Sequence, residues 1–120
     1  MNWALVFLGG GLGSLLRYFI SLQILFSKNF PWATLLSNSM ATFVLAFLMF
    51  FIKTEVRPSW LLPFLGIGFC GGFSTFSTFS AENFQLLEQR AWGFLILNIA
   101  VSIISGIGIF MIVSKIKTMS

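Results

Sequence analysis

The stretch "GGFSTFSTFS", Gly71 to Ser80, sets a contradiction in the middle of an apolar chain. A lipid-spanning helix has little use for a dense run of hydroxyls. A water-exposed loop has little use for three phenylalanines. The two glycines cost a helix roughly 1 kcal/mol each relative to alanine. The hydroxyls of Ser74, Thr75, Ser77, Thr78 and Ser80 compete locally for backbone hydrogen bonds. Together they predict a helix that breaks near Gly72 to Thr75. Unwound backbone at membrane depth is tolerated only where protein buries it or where it lines water.

Working outward, the rest of the chain supplies the membrane. Its 120 residues are 58% hydrophobic and only 8% charged, against about 25% charged for an average soluble domain. A span needs about 20 mostly apolar residues. Four stretches meet that length: 3–26, 32–52, 60–80 and 92–113, each opening on a tryptophan suited to the interface. The expected fold is therefore all-α and integral to the membrane, one domain over 1–120, with the third helix broken near its middle. The first span lacks the basic start of a signal peptide and is read as staying in the protein.

Composition narrows the chemistry. The net charge of +4 is small and dispersed along the chain, unlike the gathered basic patch of a nucleic-acid binder. One cysteine and no histidine leave no intrachain disulfide and argue against a zinc site. An even number of spans puts both termini on one side, with Lys53, Arg57, Lys115 and Lys117. The other side has Lys28 and Arg90, with Arg17 inside the first span. This bias is weak under the positive-inside rule. It is compatible with insertion in both orientations, and so with an antiparallel dimer, or with a plain cytoplasmic placement of the termini.

Polar residues inside the spans carry the functional hypotheses. In "GGGLGSLLRY", Gly9 and Gly13 share a helix face and suit close helix packing. The run imitates a nucleotide-binding glycine pattern, but no strand precedes it. Arg17 either snorkels to the interface or faces a wet vestibule that attracts anions. Thr34, Asn38 and Thr42 form one stripe. Asn38 offers amide donors to an anion, or serves as interhelical glue. Phe76 and Phe79 share a face if the helix resumes. They either turn positive ring edges toward a pore or simply pack. Asn98, Ser102 and Gly106 form a further stripe, which lines a pore or a neighbouring helix. The acids Glu55, Glu82 and Glu88 are expected in loops, so no span is expected to hold a buried carboxylate. A donor set of amide, hydroxyl and guanidinium favours an anion.

On "GGGLGSLLRY" (Gly9 to Tyr18), "TLLSN" (Thr34 to Asn38) and "GFCGGFSTFSTFSAE" (Gly68 to Glu82), the chain resembles the CrcB/Fluc family of fluoride ion channels. The resemblance runs over the whole chain. It implies a channel, not an enzyme, in a cell membrane of the bacterial inner-membrane kind. It implies an antiparallel, dual-topology homodimer giving passive fluoride efflux and resistance to fluoride toxicity. By the same resemblance Asn38, Phe76, Phe79, Ser77, Thr78 and Ser102 would line the fluoride pathway, with Arg17 at a vestibule. The carbonyls of Gly71 and Ser74 would hold a structural Na⁺ at the dimer centre. Departures from the family pattern are Ala33, Ala41 and Ala46 in place of small glycines, Ser37 in place of a branched apolar residue, and Asn98 in place of tyrosine. The rival classes are a small four-span multidrug exporter, which needs an acid in its first span and finds none here, and a non-transporting membrane scaffold.

Overall fold

The computed structural model describes residues 2–24 and 30–120. The end of the first span at Phe26 and the loop lysine Lys28 lie outside the described residues. Among those residues the fold is helical without strands. Helix α1 (Asn2–Gln23) and α2 (Trp32–Phe51) are continuous. The third span, Leu62–Glu88, is built in pieces. It runs as a wide π-helix over Leu62–Phe69, tightens into α3 (Cys70–Phe73), breaks, and resumes as α4 (Phe76–Glu88). Helix α5 (Trp92–Met119) completes the bundle. Four segments are thus long and apolar enough to cross a membrane.

Most large apolar side chains point outward, among them Leu15, Phe43, Ile104 and Met111. A membrane protein needs no oil-drop core, because lipid solvates such groups as well as leucine does. What holds the helices together is close backbone approach. Helix α1 lies against the first half of the third span. A side-chain carbon on Gly9 would overlap the carbonyl of Phe64, and one on Gly13 the carbonyl of Phe69. The contact is reciprocal. A carbon on Gly68 would sit 2.7 Å from the Val6 carbonyl oxygen, and one on Gly72 would overlap the carbonyl of Gly10. Elsewhere α2 packs on α5, and α4 also rests on α5.

Two expectations are corrected. The stretch "AENFQLLEQR" is not a loop from Ala81: α4 carries the helix on to Glu88. Glu82 and Asn83 are hydrogen-bonded to Thr34 and Asn98 on other spans, so polarity there does not mark a helix end. Glu82 is consequently inside the third span. It is half-buried, and its Oε1 accepts a hydrogen bond from Thr34 Oγ1 at 2.6 Å. The expectation that no span holds a buried carboxylate is overturned. The break itself falls within the expected Gly72 to Thr75: Gly71 and Gly72 are helical, and the extended residues are Ser74 (ψ 158°) and Thr75 (φ −153°, ψ 118°). Gly72 is required by the approach of Gly10, not by the break.

The termini of α2 and α5 meet at one end of the bundle, where Lys117 Nζ lies 5.4 Å from the centre of the Phe51 ring. At 28 residues, α5 is about 42 Å long, longer than a hydrocarbon core of about 30 Å. Its basic end therefore reaches the headgroups.

Gly13→Ala forces a methyl group into backbone and is expected to cost about 1–3 kcal/mol. Gly11→Ala, on the same helix with open space around it, should be neutral or stabilising by up to about 1 kcal/mol. Thermal denaturation of the purified protein in detergent checks both. Equal midpoints for the two variants would refute glycine-mediated packing of α1.

Candidate ion pathway

Breaking a helix in hydrocarbon strands backbone donors and acceptors, and each must find a partner. Asn38 supplies it. The Thr75 N–H, which would bond Gly71 in an unbroken helix, donates to Asn38 Oδ1 at 2.7 Å. Asn38 Nδ2 donates back to the Thr75 carbonyl at 3.3 Å. This pairing also fixes the amide's orientation, because a backbone N–H must face the oxygen. An asparagine amide carries two hydrogens, so one remains for another acceptor.

Thr75 then restarts the helix. It is the N-cap of α4, its hydroxyl accepting from Thr78 N–H at 3.1 Å. The Ser77 hydroxyl lies 3.3 Å from the same Thr75 oxygen. On the other side of the break Ser74 N–H and Ser74 Oγ both donate to the Cys70 carbonyl, at 3.0 and 2.7 Å. Arg17 Nε donates to the Gly72 carbonyl at 3.1 Å, with Ser14 Oγ at 3.4 Å from the same oxygen. Thus α1, α2 and local hydroxyls meet much of the interruption, leaving the Gly71 and Ser74 carbonyls without their helical amide partners.

Two cavities flank Thr75. The larger, about 360 Å³, is lined by Asn38, Phe76, Phe79 and Ser102, with Ser74 and Thr42 adding polar wall. Four of the six pathway residues expected from sequence therefore meet in one space. The rings of Phe76 and Phe79 are 6.0 Å apart and tilted by 40°. Phe76 is 79% exposed on the single subunit. The smaller cavity, about 80 Å³, holds Arg17 and Thr78 together with Thr34, Ser37 and Glu82. Ser77 is exposed and lines neither. Gly71 is exposed on α3, and a side chain there would meet open space.

Asn98 is brought in as a buried contact. Only 1% exposed, it donates from Nδ2 to Asn83 Oδ1 at 2.8 Å, and its own Oδ1 lies 3.5 Å from Ser102 Oγ. Its stripe was legible in the sequence; its partner Asn83 was not. Sequence alone puts Glu82 beyond the third span and gives Asn83 no role, because both follow a polar run. The available signal was the Thr75–Thr78 spacing of a helix N-cap, which starts a new helix and carries both residues onto it.

The electrostatics follow from the break. The first turn of α4 directs amide hydrogens toward Thr75 and its surroundings, a region of partial positive charge without a formal one. Such an interrupted helix, beside a cavity with several polar groups and in a bundle of four spans, defines a multi-pass membrane protein.

Comparison with known proteins gives the particular family. A family model described as "CrcB-like protein, Camphor Resistance (CrcB)" matches residues 4–114, and the chain belongs to that family. It is similar to the fluoride-specific ion channel FluC of Pyrococcus abyssi, 46% identical over 102 residues, which cover 83% of this chain and 82% of that relative. It is also similar to fluoride-specific ion channel FluC 2 of Bacillus subtilis, 43% identical over 105 residues, 88% of this chain and 79% of that relative.

Thr75→Val removes the N-cap oxygen while keeping the side-chain shape, and is expected to cost about 1 kcal/mol. Thr75→Ser should retain stability within a few tenths. The midpoint of thermal unfolding in detergent separates them, and a Val variant as stable as Ser would remove the capping role.

Proposed function

We propose that the protein is a passive, fluoride-selective channel whose pathway runs past Asn38, Phe76, Phe79 and Ser102. The observation that carries this reading is the 360 Å³ cavity at the break, where those four side chains converge. Family membership and relatives named as fluoride-specific ion channels support it.

The chemistry of the wall suits a small, strongly hydrated anion. Fluoride must exchange its water for fixed donors. The second hydrogen of Asn38, the Ser102 hydroxyl and the first amides of α4 are such donors. The edges of phenylalanine rings carry partial positive charge. Chloride is larger and gains less per contact. No formal charge lines this cavity, so the anion is not trapped by a strong electrostatic well. Arg17, in the neighbouring cavity beside Glu82, would supply positive potential near its approach, tempered by that carboxyl group.

Transport needs no energy source. Hydrogen fluoride crosses membranes neutral and ionises inside. An inside-negative potential drives the anion outward with about 2.3 kcal/mol per elementary charge per 100 mV, roughly a fiftyfold gradient. The outcome is resistance to fluoride without enzymatic chemistry.

The subunit is further read as half of an antiparallel homodimer. Support comes from the open side of the cavity. Asn38, Thr42, Ser74 and Ser102 border it, and polar groups of this kind do not face lipid. A second copy would cover them and seat the exposed Phe76 ring. The carbonyls of Gly71 and Ser74 fit a Na⁺ at the centre. In a continuous helix they would accept from Thr75 N–H and Thr78 N–H, and both amides are turned elsewhere, to Asn38 Oδ1 and Thr75 Oγ1. Carbonyl oxygens freed at an unwound helix are the donor type that holds Na⁺. An antiparallel partner would supply two more. The ion would tie the two breaks together; the pathway itself needs only the chain's own donors.

Purified protein in liposomes loaded with fluoride should release it on demand of a K⁺ diffusion potential, and should retain chloride. Phe76→Ile and Asn38→Ala should each lower the rate by at least about tenfold, the loss of one charge-assisted contact. Chloride release at a comparable rate would end the proposal.

A further inference from the structure

Asn98 is buried to the last percent of its surface, yet the pathway described above gives it no task. It sits on α5 one turn before Ser102, which lines the larger cavity. It also meets Asn83, on α4 four residues beyond Phe79. Among the described residues, the side-chain hydrogen bonds of this pair run only to each other and to Ser102. The three residues form a short polar chain. Ser102 Oγ donates to Asn98 Oδ1 at 3.5 Å, and Asn98 Nδ2 donates to Asn83 Oδ1 at 2.8 Å.

This chain can run in either sense. An amide presents its oxygen and its nitrogen on nearly the same shape. Asn38 is held in one sense, because a backbone N–H faces its oxygen. Asn83 and Asn98 face only each other and a hydroxyl, and each of those groups both donates and accepts. With both amides turned over, Asn83 Nδ2 donates to Asn98 Oδ1, and Asn98 Nδ2 donates to Ser102 Oγ. The packing and the number of hydrogen bonds in the chain are unchanged. What changes is the Ser102 hydrogen. In the first sense Asn98 holds it. In the second it is released into the cavity, while the serine oxygen stays paired.

We propose that Asn83 and Asn98 are positioning residues for Ser102, a reversible hydrogen-bond relay that turns the serine hydroxyl toward a passing anion. The proposal rests on the fluoride-conducting reading of the cavity. Without the reversal, a hydroxyl that turned to the ion would desert a buried amide oxygen. With it, the ion gains a donor and no buried group loses a partner. When the ion leaves, the relay returns to its first sense. Neither amide touches the ion; both act through Ser102.

The test has two arms. In the first, Asn83 and Asn98 are replaced together by leucine, which is close in shape and leaves neither amide unpaired. Fluoride release from liposomes under a fixed K⁺ diffusion potential should fall about two- to tenfold, the worth of one hydrogen bond. In a Ser102→Ala background the same pair of substitutions should change the rate by less than about twofold, because the hydroxyl through which they act is gone. A loss of equal size in both backgrounds is what a packing role alone would give, and it overturns the proposal. So does an unchanged rate when Ser102 is present. The second arm uses only the wild-type protein, labelled with ¹⁵N-asparagine in lipid bilayers. In solid-state NMR the side-chain amide resonances of Asn83 and Asn98 should both move on addition of sodium fluoride and stay in place with sodium chloride. Resonances that remain fixed at saturating fluoride overturn the relay, whether or not the leucine variant folds. A wild-type protein that releases no fluoride refutes the conducting reading alone, and the amide resonances still decide the relay.

Discussion

A helix can be interrupted in hydrocarbon only if its stranded amides and carbonyls are met by something other than water. That requirement governs this molecule. At Ser74 and Thr75 the chain leaves helical geometry, and the repair is distributed over three spans. Asn38 from α2 accepts from and donates to Thr75. Arg17 from α1 takes the Gly72 carbonyl. Thr75 caps the helix that follows. None of these groups would stabilise a continuous helix. Their net contribution is to hold open a conformation that otherwise costs several kilocalories, at about 1 kcal/mol per ordinary hydrogen bond and somewhat more for the guanidinium. The interruption is therefore a cooperative product of the bundle and would close or collapse in the isolated segment.

The glycines serve this repair indirectly. Arg17 reaches Gly72, and Ser14 comes within range, because α1 lies almost backbone to backbone on residues 64–73. Gly9, Gly13, Gly68 and Gly72 make that distance possible. In membranes such contact replaces the missing hydrophobic drive with dispersion and dipole interactions. It also brings close backbone packing, at Gly72 and Gly10, next to the polar interruption. A looser α1 would leave the Gly72 carbonyl to find another donor, and the first half of the third span would lose its anchor.

Much of this was legible in the sequence, and the failures share one cause. Hydropathy and the four tryptophans located every span, since both act within a window of about 20 residues. The polar stripe of α2 was visible for the same reason: its period lies on one helix. Glu82 and Asn83 were assigned to a loop because their partners, Thr34 and Asn98, are 48 and 15 residues away. A window that weighs polarity locally cannot see a distant residue neutralising it. The break falls inside the expected stretch, Gly72 to Thr75, though the glycines do not all serve it. Gly71-Gly72 was read by its helix cost, whereas Gly72 answers to a neighbour on another helix. Resemblance to a known family brought Asn38, Phe76, Phe79 and Ser102 together before any geometry did; spacing alone left each between pore and packing.

The same interruption presents partial charge of both signs at one uncharged locus. A helix broken in its middle exposes a carboxyl end and an amino end within a few residues. The end of α3 offers carbonyl oxygens whose usual amide partners have been turned away. The start of α4 offers amide hydrogens and the positive end of a 13-residue dipole. Cation and anion sites on such a frame need no ionised side chain of their own. That matters for throughput as much as for selectivity. A formal charge in a low-dielectric passage binds its counter-ion too firmly to release it quickly, whereas fixed dipoles balance desolvation closely enough to let the ion leave. Glu82 and Arg17 supply the formal charges of this region, and they sit together in the adjoining cavity, behind Thr75. Placed there, they leave the cavity at the break lined only by amide, hydroxyl, ring and alkyl groups.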